Sequence, residues 1–236
     1  MTKISDIIII GGGKSVQEGI DLGLETHLEH KCVVLTNYAY RHFKGTFLCF
    51  SDRNFYKSDD LTKNPDIYEE LKSLPLIIGL KHNPDLDNVL HSNTVMIKCP
   101  KKELRNNCPL TGLFALSIAE KLEPKNIFLL GFDWDKRPIE EIDRKNYKGE
   151  SNLNIHYYKQ EIPHRGLGYV GFYENHNPNN YFKYFKNSKL KIYNVSPNSN
   201  INTFEKINYL TFFNLLSNIK YNQEELRNQI ILEIKE

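Results

Sequence analysis

Three groups of residues in this 236-residue chain have the types and spacing to do chemistry. The first is DIIIIGGGKS at residues 6–15, a glycine turn of Gly11, Gly12 and Gly13 followed by Ser15. Glycines let the backbone approach a ligand closely. A helical pattern over residues 16–24 would aim its N-terminus at the same spot, which suits an anion. Neither standard phosphate motif fits. A P-loop needs a glycine where Ile8 stands, and the dinucleotide fingerprint, met at Gly11 and Gly13, needs a third where Val16 stands. A tight turn without a ligand is the competing reading. The second group is Asp133-Trp134-Asp135, a D-x-D of the kind that holds a divalent ion against a diphosphate. A strand-end aspartate also serves to hydrogen-bond a neighbouring loop. The third group is Tyr147, His156, His164, Tyr169 and Tyr173, within a polar, aromatic stretch from about 135 to 178. That stretch is too aromatic for disorder and too irregular for a packed element, so it reads as a lid or binding loop. His156 and His164 are the candidate general bases, because imidazole titrates near neutral pH. No histidine pair has the spacing of a helix-borne zinc site.

These groups need a scaffold, and the hydrophobic pattern supplies one. Four consecutive isoleucines read as a strand buried on both faces. Further strands are expected at 32–35, 46–50, 76–78, 95–98, 127–130 and 190–195, with helical patterns between several of them. The clearest helix spans 111–122, where Leu113, Leu116, Ala119 and Leu122 form a stripe. Lys121 and Lys125 suit the negative end of its dipole, and Pro124 stops it. Alternation of this kind predicts a single Rossmann-like α/β domain. Its sheet is doubly wound and mostly parallel, and it carries an irregular lid and C-terminal helices. The nucleotide-binding part covers residues 1–204, with the lid inserted at about 135–178, and residues 205–236 form a helical extension.

In such a sheet ligands bind beyond the carboxyl ends of the strands. The residues placed there are Gly11, Gly12, Gly13, Ser15, Asn37, Ser51, Asp52, Gly131, Asp133, Asn198 and Ser199. Thr111 and Gly112 begin the long helix beside them. Hydroxyls, amides and one or two carboxylates around glycine turns suit a nucleotide's sugar, base and phosphate. A dehydrogenase is disfavoured by Val16 and by Asn37, which stands where an acidic residue would hold a ribose. Asn37 also reads as a turn cap, and Ser199 and Thr203 as helix caps.

Composition narrows the class. Lys and Arg total 31 against 29 Asp and Glu, a net charge of +2, which gives no electrostatic case for nucleic acid. No secretory leader and no apolar run of about 20 residues is read, so no membrane span is expected. Cys32, Cys49, Cys99 and Cys108 lie in or beside apolar runs without CxxC spacing, the pattern of buried free thiols. A cytoplasmic protein is the expectation. Leu226, Ile230, Ile231 and Ile234 form a C-terminal stripe for packing on the domain or on a partner subunit in a homo-oligomer.

The ordered strand ends GGGKS, LTNYAY, FSDRNFY, LTGLFALSIAEKLEPKNIFLLGFDW and KLKIYNVSPNS resemble the bacterial sialyltransferases of glycosyltransferase family 42. They also resemble the domain shared by flagellin glycosylation factors and archaeal hydroxymethylpterin diphosphokinases. The likeness covers most of residues 6–204. It implies that Gly11, Gly13 and Ser15 approach a nucleotide, that Asn37 contacts it, that Thr111 matches the family's serine ahead of the long helix, and that Asn198 and Ser199 border the cytidine. The sequence departs from the family pattern at Ser51, where an asparagine is usual, and at Asp135, where a tyrosine is. The family's His-Tyr-x-Gly-His stretch has its nearest match at Gly168-Tyr169-Val170-Gly171-Phe172, with His164 four positions upstream.

The resemblance implies a metal-independent, inverting glycosyltransferase. It takes a nucleotide-activated sugar, with a CMP-linked nonulosonic acid among the candidates, and a glycan or small-molecule acceptor. His164 or His156 would be the base, and Tyr169 and Tyr173, with Tyr147, would supply phenols to the leaving phosphate. No metal or other cofactor is expected. Two alternatives stay open: a diphosphotransferase of the pterin kinase type, with Mg²⁺ held by Asp133 and Asp135, and a nucleotide-sugar-binding protein without catalysis.

Overall fold

The computed structural model describes residues 3–51, 65–81, 91–105, 108–134 and 177–235. Among them are strands β1 (Asp6–Ile10), β2 (Cys32–Thr36), β3 (Phe47–Phe50), β4 (Ile77–Leu80), β5 (Thr94–Ile97), β6 (Asn126–Leu130), β7 (Lys191–Asn194) and β8 (Glu205–Lys206). They form one sheet in the order β5-β4-β3-β2-β1-β6-β7-β8, with every pairing parallel. The helices are α1 (Val16–Asp21), α2 (Leu24–Leu28), α3 (Pro65–Lys72), α4 (Thr111–Lys121), α5 (Pro178–Phe182), α6 (Tyr209–Leu215) and α7 (Gln223–Lys235). This is the expected Rossmann-like α/β class.

The isoleucine run explains its own burial. Successive strand side chains point to opposite faces. Ile7 and Ile9 accordingly enter one core, with Val34, Phe47, Ile78, Leu129 and the side chains of α4 and α7. Ile8 and Ile10 enter the other, with Val33, Leu48, Ile77, Leu130 and the side chains of α1, α2 and α6. A parallel strand covered on both sides has no face to leave polar. The C-terminal stripe packs on the first core through Leu226, Ile230 and Ile234.

Three local features differ from the sequence reading. The helix expected over 16–24 ends at Asp21 and a second short helix begins at Leu24, because Gly23 between them adopts φ +79°, a left-handed turn that glycine enters without side-chain strain. The chain after residue 203 forms β8 before any helix, pairing Tyr193 with Glu205 and Asn194 with Lys206. Ser199 and Thr203 cap no helix. Asn208 caps α6 instead, its Oδ1 accepting from the Thr211 N–H at 2.8 Å. The long helix ends as expected, with Glu123 left-handed at φ +48° just before Pro124.

At the amino edge, a polar clasp ties the segment between α6 and α7 to β1. The buried Asp6 carboxylate accepts from Asn126 Nδ2 at 2.7 Å and from the Ser217 N–H at 2.8 Å. Lys31 Nζ donates to the carbonyls of Ser217 and Ile219, and the Ser5 N–H donates to the Tyr221 hydroxyl at 2.7 Å. Burial pushes the Lys31 pKa down, and nearby Asp6 opposes that shift.

Candidate functional site

The chain runs outward from β1 to β5 and then returns to the far side of β1 as β6. The carboxyl ends of β1 and β6 are therefore the topological switch point, where ligands of open α/β sheets bind. Here the two turns bond to each other. The Gly11 N–H donates to the Leu130 carbonyl at 2.7 Å, and the Gly13 N–H to the Gly131 carbonyl at 2.9 Å. A Cβ on Gly13 would lie 2.5 Å from Asp133 Oδ2 and 2.6 Å from the Gly131 oxygen, and Gly131 itself sits at φ +71°. The close approach that these glycines allow is thus one loop against another.

Asp133 completes the joint. Its Oδ2 accepts from the Ser15 N–H at 2.8 Å and its Oδ1 from the Ser15 hydroxyl at 2.5 Å. The protein's own carboxylate stands at the start of α1, a helix of only six residues. The glycine turn and the first aspartate of the D-x-D, expected at the same edge as separate contributors to a ligand site, are one hydrogen-bonded structure. A metal at Asp133 would have to compete with both Ser15 bonds.

A second cluster lies at the ends of β2 and β3, against the first turn of α4. Asn37 follows β2 in a left-handed conformation, φ +48°, and opens a short 3₁₀ turn. The neighbouring Thr36 hydroxyl donates to the Ile10 carbonyl at 2.9 Å, which fixes the end of β2 to that of β1. Thr111 Oγ1 donates to Asn37 Oδ1 at 3.1 Å, accepts from the Ser51 N–H at 3.2 Å, and lies 3.0 Å from Ser51 Oγ. A hydroxyl has one proton and two lone pairs. With the Thr111 proton on Asn37, the Ser51 hydroxyl is the donor in their contact. Asn37 is therefore oriented through its oxygen. Among the described residues its Nδ2 has no hydrogen-bond partner, so two donors face the half-buried edge. Beside it, the first N–H groups of α4, at Thr111 and Gly112, have no partner within the helix.

The turn after β7 shapes the same edge from the other side. Ser199 Oγ donates to the Phe132 carbonyl at 2.6 Å and accepts from Asn194 Nδ2 at 2.9 Å and the Ile201 N–H at 3.0 Å. Asn200 donates to the carbonyls of Asp133 and Trp134, at 2.9 and 2.8 Å. Ser199 is buried with its hydroxyl fully engaged, whereas Asn198 is exposed. Asn194 and Asn200, which hold the 132–134 exit of β6, were not singled out in the sequence. The one available sign was an asparagine closing the apolar β7 run.

The structure thus brings Gly11, Gly12, Gly13, Ser15, Gly131 and Asp133 together at the switch point, Asn37, Ser51, Thr111 and Gly112 beside it, and Asn198 and Ser199 on the adjoining turn. His156, His164, Tyr147, Tyr169, Tyr173, Asp52 and Asp135 lie outside the described residues. Among the described residues no group of three or more His, Cys, Asp or Glu is placed to hold a metal, and no helix is long and apolar enough to cross a membrane. No protein-family model, curated protein or solved structure matches this chain.

Proposed function

We propose that the chain is a glycosyltransferase that uses a nucleotide-activated sugar and holds the nucleotide at the carboxyl edge of β1–β3 against α4. The observation that carries this reading is the Asn37 amide, oriented by Thr111 with both Nδ2 protons unused among the described residues. Two donors without formal charge on one amide nitrogen, next to helix N–H groups, suit the carbonyls, ribose oxygens and phosphate oxygens of a nucleotide. The sialyltransferase-like strand ends support a CMP-linked nonulosonic acid as the donor.

The chemistry in this reading needs no metal. A histidine of the 135–178 stretch, His164 or His156, takes the acceptor hydroxyl's proton as that oxygen attacks the anomeric carbon. Tyr169 and Tyr173 donate to the departing phosphate and stabilise the charge that develops on it. The magnesium-dependent diphosphotransferase is the weaker reading, because both Asp133 oxygens already serve Ser15.

Thermal shift and calorimetry with CMP, CDP, UDP, GDP and ATP, each with and without Mg²⁺, test the proposal. A bound ligand stabilises with the logarithm of its concentration over Kd. A metal-independent shift with CMP is expected. Asn37→Asp keeps the acceptor for Thr111, tolerates the left-handed backbone and replaces the two donors with charge, so it should weaken CMP at least about tenfold, the worth of one hydrogen bond. No shift with any nucleotide sinks the proposal, and a shift only with ATP and Mg²⁺ transfers it to diphosphate transfer. Binding without turnover, indifferent to His156→Ala and His164→Ala, makes the chain a binding protein.

A further inference from the structure

The stretch 207–216, which contains α6, has no charged residue. A helix apolar around most of its circumference is normally covered on every side. α6 is covered on one. Tyr209 and Phe212 enter the core, with Phe213 and Leu216 packed at its margin, but Leu210 is left 63% exposed and Leu215 42%. The helix sits on α1 and α2. A Cβ on Gly19 would lie 2.3 Å from the Tyr209 ring, and the Phe213 ring stacks on His27 with centroids 4.0 Å apart. Beside this contact opens a cleft of about 490 Å³, lined by Asn208 and Leu210 on one side and by Glu18, Asp21 and Leu22 on the other. Leu22 is itself 45% exposed, so a leucine stands uncovered on each wall.

Charge decides what fits there. Residues 16–30 hold four exposed carboxylates, Glu18, Asp21, Glu25 and Glu29, and no Lys or Arg, although the whole chain carries +2. Two of the flanking cations are already engaged. Lys31 Nζ donates to the Ser217 and Ile219 carbonyls, and Lys206 Nζ to the Ser199 carbonyl and Asn202 Oδ1. A second copy docked about a two-fold axis would set these carboxylates against their own kind. An anionic lipid surface meets the same repulsion. A helix with large apolar side chains three and four positions apart, flanked by Lys and Arg, satisfies both the leucines and the rim.

We infer that the cleft between α1 and α6 docks a cationic amphipathic helix of a partner protein. Its apolar side chains cover Leu22 and Leu210, and its Lys and Arg residues face Glu18 and Asp21. The leucines supply most of the affinity, whereas the rim carboxylates act on the association rate and its salt dependence. The cleft lies on the sheet face that α1, α2 and α6 cover, opposite the face covered by α4. Docking there is therefore independent of what binds beside Asn37.

Fluorescence anisotropy of the full chain tests this with a labelled helical Leu/Lys peptide, its leucines three and four positions apart, and with the same peptide carrying Glu for every Lys. The Lys peptide is expected to bind, more weakly as salt rises, and the Glu peptide not to bind. Leu210→Ser should weaken binding at least about tenfold, the loss from leaving one leucine uncovered. Glu18→Gln combined with Asp21→Asn should reduce the salt dependence. Leu232→Ser, on the exposed side of α7, should bind like the parent. All four positions are exposed, so each variant should keep the parent's melting curve in circular dichroism. No binding, equal binding of the two peptides, or binding unchanged by Leu210→Ser overturns the inference. So does a dimer in sedimentation velocity that Leu210→Ser dissociates, which assigns the cleft to a second copy. Binding to phosphatidylglycerol vesicles that the same substitution abolishes overturns it in favour of a membrane.

Discussion

If Asp133 is the brace of the glycine turn, removing its carboxylate destabilises the fold, and that loss overlaps with the loss from removing the hydroxyl it holds. The carboxylate accepts two bonds, from the Ser15 N–H at 2.8 Å and the Ser15 hydroxyl at 2.5 Å. A hydrogen bond to a charged group contributes about 1.5–3 kcal/mol when well shielded. Asp133 and Ser15 are half-buried, so roughly 1 kcal/mol for the hydroxyl and about 1–2 kcal/mol for the backbone bond is the better scale. Asp133→Ala should then lose about 2–3 kcal/mol, Ser15→Ala about 1 kcal/mol, and the double variant no more than Asp133→Ala alone. The coupling is about 1 kcal/mol. Asp133→Asn falls between, since its amide oxygen can keep the Ser15 N–H and its Nδ2 can donate to the rotated Ser15 hydroxyl, but the charge that strengthens both bonds is lost. Urea unfolding of the four proteins by circular dichroism, at a common m value, measures the cycle. Additivity within about 0.3 kcal/mol refutes the brace. So does an Asp133→Ala variant as stable as the parent, which is what a carboxylate waiting for an absent metal would give.

Two further outcomes follow from the buried polar groups. Asp6→Ala strands the Ser217 N–H and Asn126 Nδ2 at the amino edge, and each stranded donor costs about 1–3 kcal/mol. A melting temperature lowered by about 4 °C or more is expected in calorimetry, and a change under about 2 °C contradicts the clasp. Cys32 is raised from 9.0 to about 12 by burial, so above pH 9 the unfolded chain loses a proton that the folded chain keeps. Its contribution to stability is complete below pH 9 and is lost as pH climbs toward 12, by up to about 1.4 kcal/mol per pH unit. Cys32→Ala should flatten the decline between pH 9 and 11, whereas equal slopes in both proteins reject the assignment.

The strands were legible because a parallel sheet covered on both faces demands continuous β-branched or aromatic runs, and IIII, CVVL and NIFLL are such runs. β8 was not, since two residues, Glu205 and Lys206, carry no hydrophobic pattern at all. The break after α1 was missed because the apolar spacing continues through Gly23 and only its backbone angle ends the helix. At the candidate site, the strand-end rule named residues that the fold does bring to one edge, but partners 118 positions apart, such as Ser15 and Asp133, leave no trace in local spacing. For the thiols, the lack of a CxxC indicated free, buried cysteines, and all four are free and buried.

The position of β1 sets the order in which the molecule can be built. Its strand neighbours are β2, about 25 residues later, and β6, about 120 residues later, by the pairings Ile7 with Cys32 and Ile7 with Ile127. While the chain emerges from a ribosome, β1–β5 can assemble early, but one edge of the isoleucine strand stays open until β6 is released. An unpaired, flat, strongly apolar edge is a template for another chain. Fragments that stop short of residue 126 should therefore aggregate through β1, and any slowing of translation before β6 would lengthen the interval in which a chaperone has to shield it.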